Sequence, residues 1–132
     1  MFGPAGRAYV YLIYGMYYCL NIVTEEKGYP AAVLIRGVRV QGIGYSKNPK
    51  FLASLNPKPS TLNPSLNGPG KLCRFLKIDK TLNGEDVTRS GKLWLEDRGV
   101  KIGKTGVKTA KRIGVDYAGP YKDKLWRFLL RD

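Results

Sequence analysis

A chain of 132 residues is the length of one ordinary domain, and 43% apolar residues suffice for one packed core. Its 23 Lys and Arg against 10 Asp and Glu leave a net charge of +13, which points to nucleic acid or an anionic membrane surface. Histidine is absent from the sequence, which excludes Ser-His, Cys-His and His-metal chemistry within it. The two cysteines, Cys19 and Cys73, stand 54 positions apart and read as reduced core thiols. Seven basic and two acidic residues lie in 1–66, and sixteen and eight in 67–132. Charge spread this evenly argues for a basic face on a folded domain, not a polycationic arm.

The first distinctive segment, Ala8 to Val23, carries no formal charge over sixteen residues. A membrane-spanning helix needs about 20 apolar residues, and this run also holds five tyrosines, a glycine and an asparagine. It reads instead as a β-hairpin, with arms at 9–13 and 17–23 and a tip at Tyr14-Gly15-Met16. A second strand is expected over 31–35 and a third over 38–40. From 46 to 70 the character changes: five of the eight prolines fall there, and LNP occurs at 55–57 and 62–64. This is read as a flexible low-complexity insertion.

Pro69 opens a helix with Leu72, Cys73, Phe75 and Leu76 on one side, expected to end near Asp79. A short strand is expected at 93–95, a backbone-contacting basic loop at 100–112, and a core strand at 125–130. Strands with one or two helices and no βαβ alternation imply an α+β domain spanning 1–132 around an antiparallel β-sheet.

Several residues invite chemistry, each beside a plainer alternative. Tyr14 and Met16 expose large side chains at a tight tip, as a wedge between DNA base steps or as a packing contact. Tyr11 either stacks on an extruded base or fills the core. Asn21, inside an apolar strand, is satisfied by backbone or aimed at a ligand edge. Arg36 ends a buried strand, reaching a cleft or lying on the surface. The turn from Gly68 to Lys71 suits phosphate contact, without the full pattern of a nucleotide-binding loop. Neither Glu25-Glu26 nor Glu96-Asp97 stands where a general base would.

Together these segments resemble the alkyladenine (3-methyladenine) DNA glycosylase family. The matching stretches, in family order, are GRAYVYLIYGMYYCLNIV (6–23), PAAVLIRGV (30–38), LNGPGKLCRFLKIDKTLNG (66–84), LWLEDRG (93–99) and RIGVDYAGPYKDKLWRFLLR (112–131). The resemblance implies a monomer that binds duplex DNA containing damaged purines, flips the base and hydrolyses its N-glycosidic bond without cofactor or metal. It implies that Tyr14 intercalates from a protruding hairpin, that Met16 and Tyr17 touch the neighbouring groove, and that Lys71 meets DNA. Tyr11 would stack on the base, and Asn21 would exclude normal guanine. Arg36 and a backbone carbonyl near Ile113 would hold the attacking water. The family's general-base glutamate lies upstream of the hairpin. The chain is therefore expected to be N-terminally truncated, with Met1 an internal methionine, and impaired in catalysis. The alternative is a non-catalytic basic DNA- or RNA-binding module. The expected location is the cytoplasmic nucleoid in a bacterium or the nucleus in a eukaryote, with no membrane partner.

Overall fold

The computed structural model describes residues 1–39 and 65–131. Their elements are short helices and antiparallel strands, an α+β composition. They gather into two compact units, 1–96 and 97–132.

In the first unit, β1 (Ala8–Ile13) and β2 (Tyr17–Val23) form the expected hairpin, and β3 (Ala32–Leu34) pairs antiparallel with the outer side of β2. The register sets Ala8 opposite Ile22, Val10 opposite Leu20, Tyr9 opposite Asn21 and Tyr11 opposite Cys19. Successive residues of a strand face opposite sides, so these pairs divide into two sets. The first set, Ala8, Val10, Leu20 and Ile22, enters the hydrophobic core with Leu72, Cys73, Ile78 and Val87. The second set faces away from that core.

β4 (Gly37–Arg39) pairs with β5 (Ser65–Asn67), and α1 (Pro69–Phe75) follows at once. The expected insertion at 46–70 thus lies outside the described residues as far as 64, and its last six residues are β5 and the start of α1. Val40 of the third expected strand also lies outside them. Leu72, fully buried, and Cys73 anchor α1 in the core. A buried leucine contributes about 2 kcal/mol through apolar burial alone.

The helix stops four residues earlier than its sequence suggests, and the reason is local. Lys77 adopts a left-handed φ of 55, its amide bonding to Arg74 O at 3.3 Å and that of Ile78 to Cys73 O at 2.8 Å. These two bonds are the Schellman closure of a helix end, with Ile78 buried behind it. Glycine is the usual residue at this position, so a lysine there conceals the stop signal.

The free edge of β1 is covered by the segment after α1. Ala8 N bonds to Glu85 O at 2.8 Å, Gly84 N to Ala8 O at 2.8 Å, and Val87 N to Gly6 O at 2.9 Å. Asn83 Oδ1 accepts from Val10 N at 2.9 Å, so a side chain replaces a ladder partner. Covering an edge in this way satisfies its backbone and blocks pairing with another chain. The strand expected at 93–95 is not formed. Ser90 Oγ accepts from the amides of Lys92 and Leu93 at 3.0 and 3.3 Å, and it donates to Glu85 Oε2 at 2.9 Å. Those amides are therefore taken before a strand can claim them.

In the second unit, β6 (Val107–Ala110) pairs antiparallel with β7 (Arg127–Leu130). The expected basic loop at 100–112 thus contains a strand. The last strand is shorter than expected and is not core: Phe128 is 69% exposed and Leu130 61%. An interrupted 3-10 turn over Asp116–Tyr121 lies between the two strands.

Replacing Lys77 by glycine removes the left-handed strain and is expected to stabilise the fold by roughly 0.5–1 kcal/mol, after the added freedom of the unfolded chain is deducted. A denaturant titration reads this as a higher midpoint. A lower midpoint would mean that contacts of the Lys77 stem outweigh the strain.

Candidate functional site

The face of the three-stranded sheet turned away from the core is built in rows. Tyr9, Asn21 and Leu34 make one row through the register of β1, β2 and β3. Beyond β3 the ladder continues, with Ile35 N bonded to Leu20 O at 2.9 Å. Extending that register sets Arg36 opposite Cys19, hence Tyr11, Cys19 and Arg36 in the next row. Three residues that looked unrelated in sequence, Tyr11, Asn21 and Arg36, therefore share one sheet face.

Their environments are specific. Asn21 is buried, and its Nδ2 donates to Tyr9 O at 3.2 Å. This bond uses one of the two amide protons. Backbone satisfaction, one of the two readings of Asn21, is thus present. The half-buried Tyr11 ring packs against Tyr9 with centroids 5.3 Å apart and planes tilted 37°. Cys19 is 1% exposed, and burial pushes its thiol above the ordinary value of 9.0. The Tyr11 hydroxyl, donating to the sulfur, and the Arg36 charge oppose that rise. Burial likewise raises the Cys73 thiol, helped by the proximity of Cys19. Both cysteines are free, as expected of core thiols.

A different set of residues surrounds the hairpin tip. Met16 N bonds to Ile13 O at 3.0 Å, and the two residues between them, Tyr14 and Gly15, have φ of 53 and 66. Two successive positive φ values are the mark of a type I′ turn, which matches the twist of the strands. Glycine accepts this readily; tyrosine does so at a cost of roughly 1–2 kcal/mol. Tyr14 is nonetheless 88% exposed, and Met16 68%. A strained residue thus presents a large apolar area at the tip.

Tyr17, just past the tip, lies on α1. A Cβ at Gly70 would meet its ring and Cβ atoms at 3.1–3.2 Å, and Arg74 Cζ sits 5.8 Å from the ring centroid. Gly70 is therefore the close approach that lets the hairpin dock on the helix, and Arg74 is the basic residue carried beside the tip. Nothing in the sequence marked Arg74 beyond its place on the polar side of a helix. Lys71, exposed one turn earlier, belongs to the same helix. A groove of about 160 Å³ lined by Met16, Tyr17, Gly70 and Arg74 among others runs along this junction.

Ile113 belongs to the second unit, where it is 56% exposed beside Gly114 at φ 72. Both units are basic, with net charges of +7 and +6. Among the described residues, no three His, Cys, Asp or Glu gather as metal ligands, and no helix is long and apolar enough to cross a membrane.

Comparison with known proteins gives the family of the chain. A family model described as methylpurine-DNA glycosylase matches residues 1–132. The chain belongs to that family. It is 50% identical over 129 residues to a protein of Methanocella arvoryzae, covering 97% of this chain and 60% of the relative. It is 45% identical over 134 residues to one of Desulfitobacterium hafniense, covering 100% and 64%, and 46% identical over 132 residues to one of Rickettsia rickettsii, covering 100% and 59%. Each of these relatives is named for 3-methyladenine DNA glycosylase. The chain spans about three fifths of their length.

The buried thiols give a test of this site's packing. A folded-state pKa raised above the unfolded value contributes stability below 9.0, and that contribution is lost as pH rises through the folded value. The unfolding midpoint is expected to fall as pH increases above 9.0, and a Cys19→Ala, Cys73→Ala double variant is expected to fall less steeply. Iodoacetamide at pH 8 is expected to leave both native thiols intact; rapid labelling would contradict their burial.

Proposed function

We propose that this chain supplies the DNA-engaging part of a purine-specific DNA glycosylase. The hairpin tip would enter the minor groove, with Tyr14 in the gap left by an extruded base and Met16 and Tyr17 against the adjoining groove. The observation that carries this reading is Tyr14 itself, held at φ 53 while 88% exposed. Backbone strain on a solvent-facing aromatic gains the fold nothing, whereas a rigid wedge needs a fixed direction. Lys71 and Arg74 on α1 would meet phosphates, and binding would weaken steeply with salt as counterions return to the duplex.

The extruded damaged purine would lie on the Tyr11 face, stacked on that ring, with the Asn21 amide crowding the amino group of normal guanine. Arg36 would orient the attacking water, a task that the family resemblance also gives to the carbonyl near Ile113. The residues of these rows are phenol, amide, thiol, guanidinium and aliphatic; none is a carboxylate or an imidazole. Water held by a cation is oriented but keeps its proton. General-base assistance is worth about 10²–10⁴-fold, so the 132 residues alone would bind damaged duplex and release the base slowly. That same composition favours, as a second reading, a module that binds nucleic acid and performs no chemistry.

Two measurements separate these readings. Tyr14→Asn places at the tip a residue that tolerates positive φ, so thermal stability is expected to hold or rise while affinity for hypoxanthine-containing duplex falls about tenfold. An equal loss on single-stranded DNA would refute the wedge. Base release from the same duplex is expected to rise with added formate, a small carboxylate able to accept the water's proton. Fast release without formate would refute the impairment, and no release at any formate concentration would favour the non-catalytic module.

A further inference from the structure

In the second unit, two consecutive residues tie the start of one turn to a single distant stretch. The Arg112 guanidinium lies 5.3 Å from the Trp126 ring centroid, and its Nη2 donates to Tyr121 O at 3.2 Å. Trp126 in turn stacks on Tyr121, with centroids 5.8 Å apart and planes 27° from parallel. Beside this stack Lys111 Nζ meets Asp123 Oδ1 at 2.9 Å. Both residues of the salt bridge are more than 60% exposed, so it adds little hold. The stack is the firmer tie.

Immediately after Arg112 comes Ile113, more than half exposed, and then Gly114 at φ 72. An isoleucine more than half exposed holds its backbone only weakly by packing, and the glycine after it adds no side chain to hold the peptide between them. The anchored residue next to the Ile113 carbonyl is Arg112. Arg112 Nε is enclosed without a hydrogen-bond partner. Such a donor is retained where the planar group has to lie flat on a ring, leaving its in-plane edge wherever the stack puts it. Lysine can satisfy the Tyr121 carbonyl but cannot cover the indole face.

We propose that Arg112 is a positioning residue: stacked on Trp126 and bonded to Tyr121, it fixes the direction in which the Ile113 carbonyl points. This rests on the reading above that the Ile113 carbonyl holds the attacking water. It adds a residue that acts through the turn it orders.

The test uses the whole 132-residue protein with Arg112→Lys, Trp126→Leu and Trp126→Phe. Hydrogen exchange at the Ile113 and Gly114 amides reads the turn, and single-turnover release of hypoxanthine in the presence of formate reads the chemistry. The Kd for duplex containing an abasic-site analogue reads binding. Arg112→Lys and Trp126→Leu are expected to speed local exchange and slow base release by about tenfold, with Kd changed less than twofold. Trp126→Phe keeps a ring face and is expected to behave as the parent protein. Unaltered exchange in Arg112→Lys would overturn the proposal, as would equal losses of binding and release. If the parent protein releases no base, the excision reading falls, while amide exchange still decides whether Arg112 orders the turn. Should Trp126→Leu fail to fold, Trp126→Phe and Arg112→Lys decide it alone.

Discussion

The antiparallel register of β1 on β2 is the constraint on which the rest of the first unit depends. Because side chains alternate, it alone decides that Ala8, Val10, Leu20 and Ile22 meet the core while Tyr11, Cys19 and Asn21 share the far side. A slip of one residue would bury the tyrosines against Leu72 and expose the aliphatic set. The turn at Tyr14-Gly15 pins that register, since a hairpin loop of fixed length admits one pairing. The strain at Tyr14 thus sits at the point that sets both the core and the opposite face. The fold tolerates it because long ladders on either arm over-determine the turn.

Edges tell a similar story. β1 would offer an open row of donors and acceptors, yet residues 83–87 run along it and Asn83 completes the pairing with a side chain. The segment that follows α1 therefore serves the sheet as a fourth strand would, without strand dihedrals throughout. On the other side, Tyr17 docks on α1 because Gly70 has no Cβ, which brings Arg74 beside the tip. Apolar packing, not charge, assembles this basic surface. The charges ride on elements whose positions are already fixed.

How far the sequence disclosed this structure depends on where each signal lies. The hairpin was legible because both arms are β-rich and the glycine stands where positive φ is required. The end of α1 was not, because its left-handed position holds Lys77 and the closing contact is made by Ile78 through burial. Leu93-Trp94-Leu95 has the composition of a strand, but Ser90, a residue with no β signal of its own, captures the amides. Strand β6 was hidden by the lysine-rich stretch around its Lys108, since a two-stranded pair has no fully buried face to demand alternation. The individual residues Tyr11, Asn21 and Arg36 stood out in the sequence, each with an innocent alternative. Their common face follows from register, a non-local property that no window of the chain contains.

The chemistry of that face follows from its electrostatics. Arg36 is the full charge in rows that otherwise hold neutral groups, for the Cys19 thiol stays protonated across the physiological range through burial. A cation beside a phenol and an amide attracts electron-rich ligands and orders water, yet offers no basic group to take a proton. Under the proposed function, selection and activation are separate demands, and the row of Tyr11, Cys19 and Arg36 would answer the first. On that proposal, activation would need a carboxylate or an equivalent base brought to this face from other residues or from solution. The same separation explains why net charge and chemistry point in different directions: the positive charge of both units suits a polyanion, while the groups of these rows orient a ligand without accepting a proton.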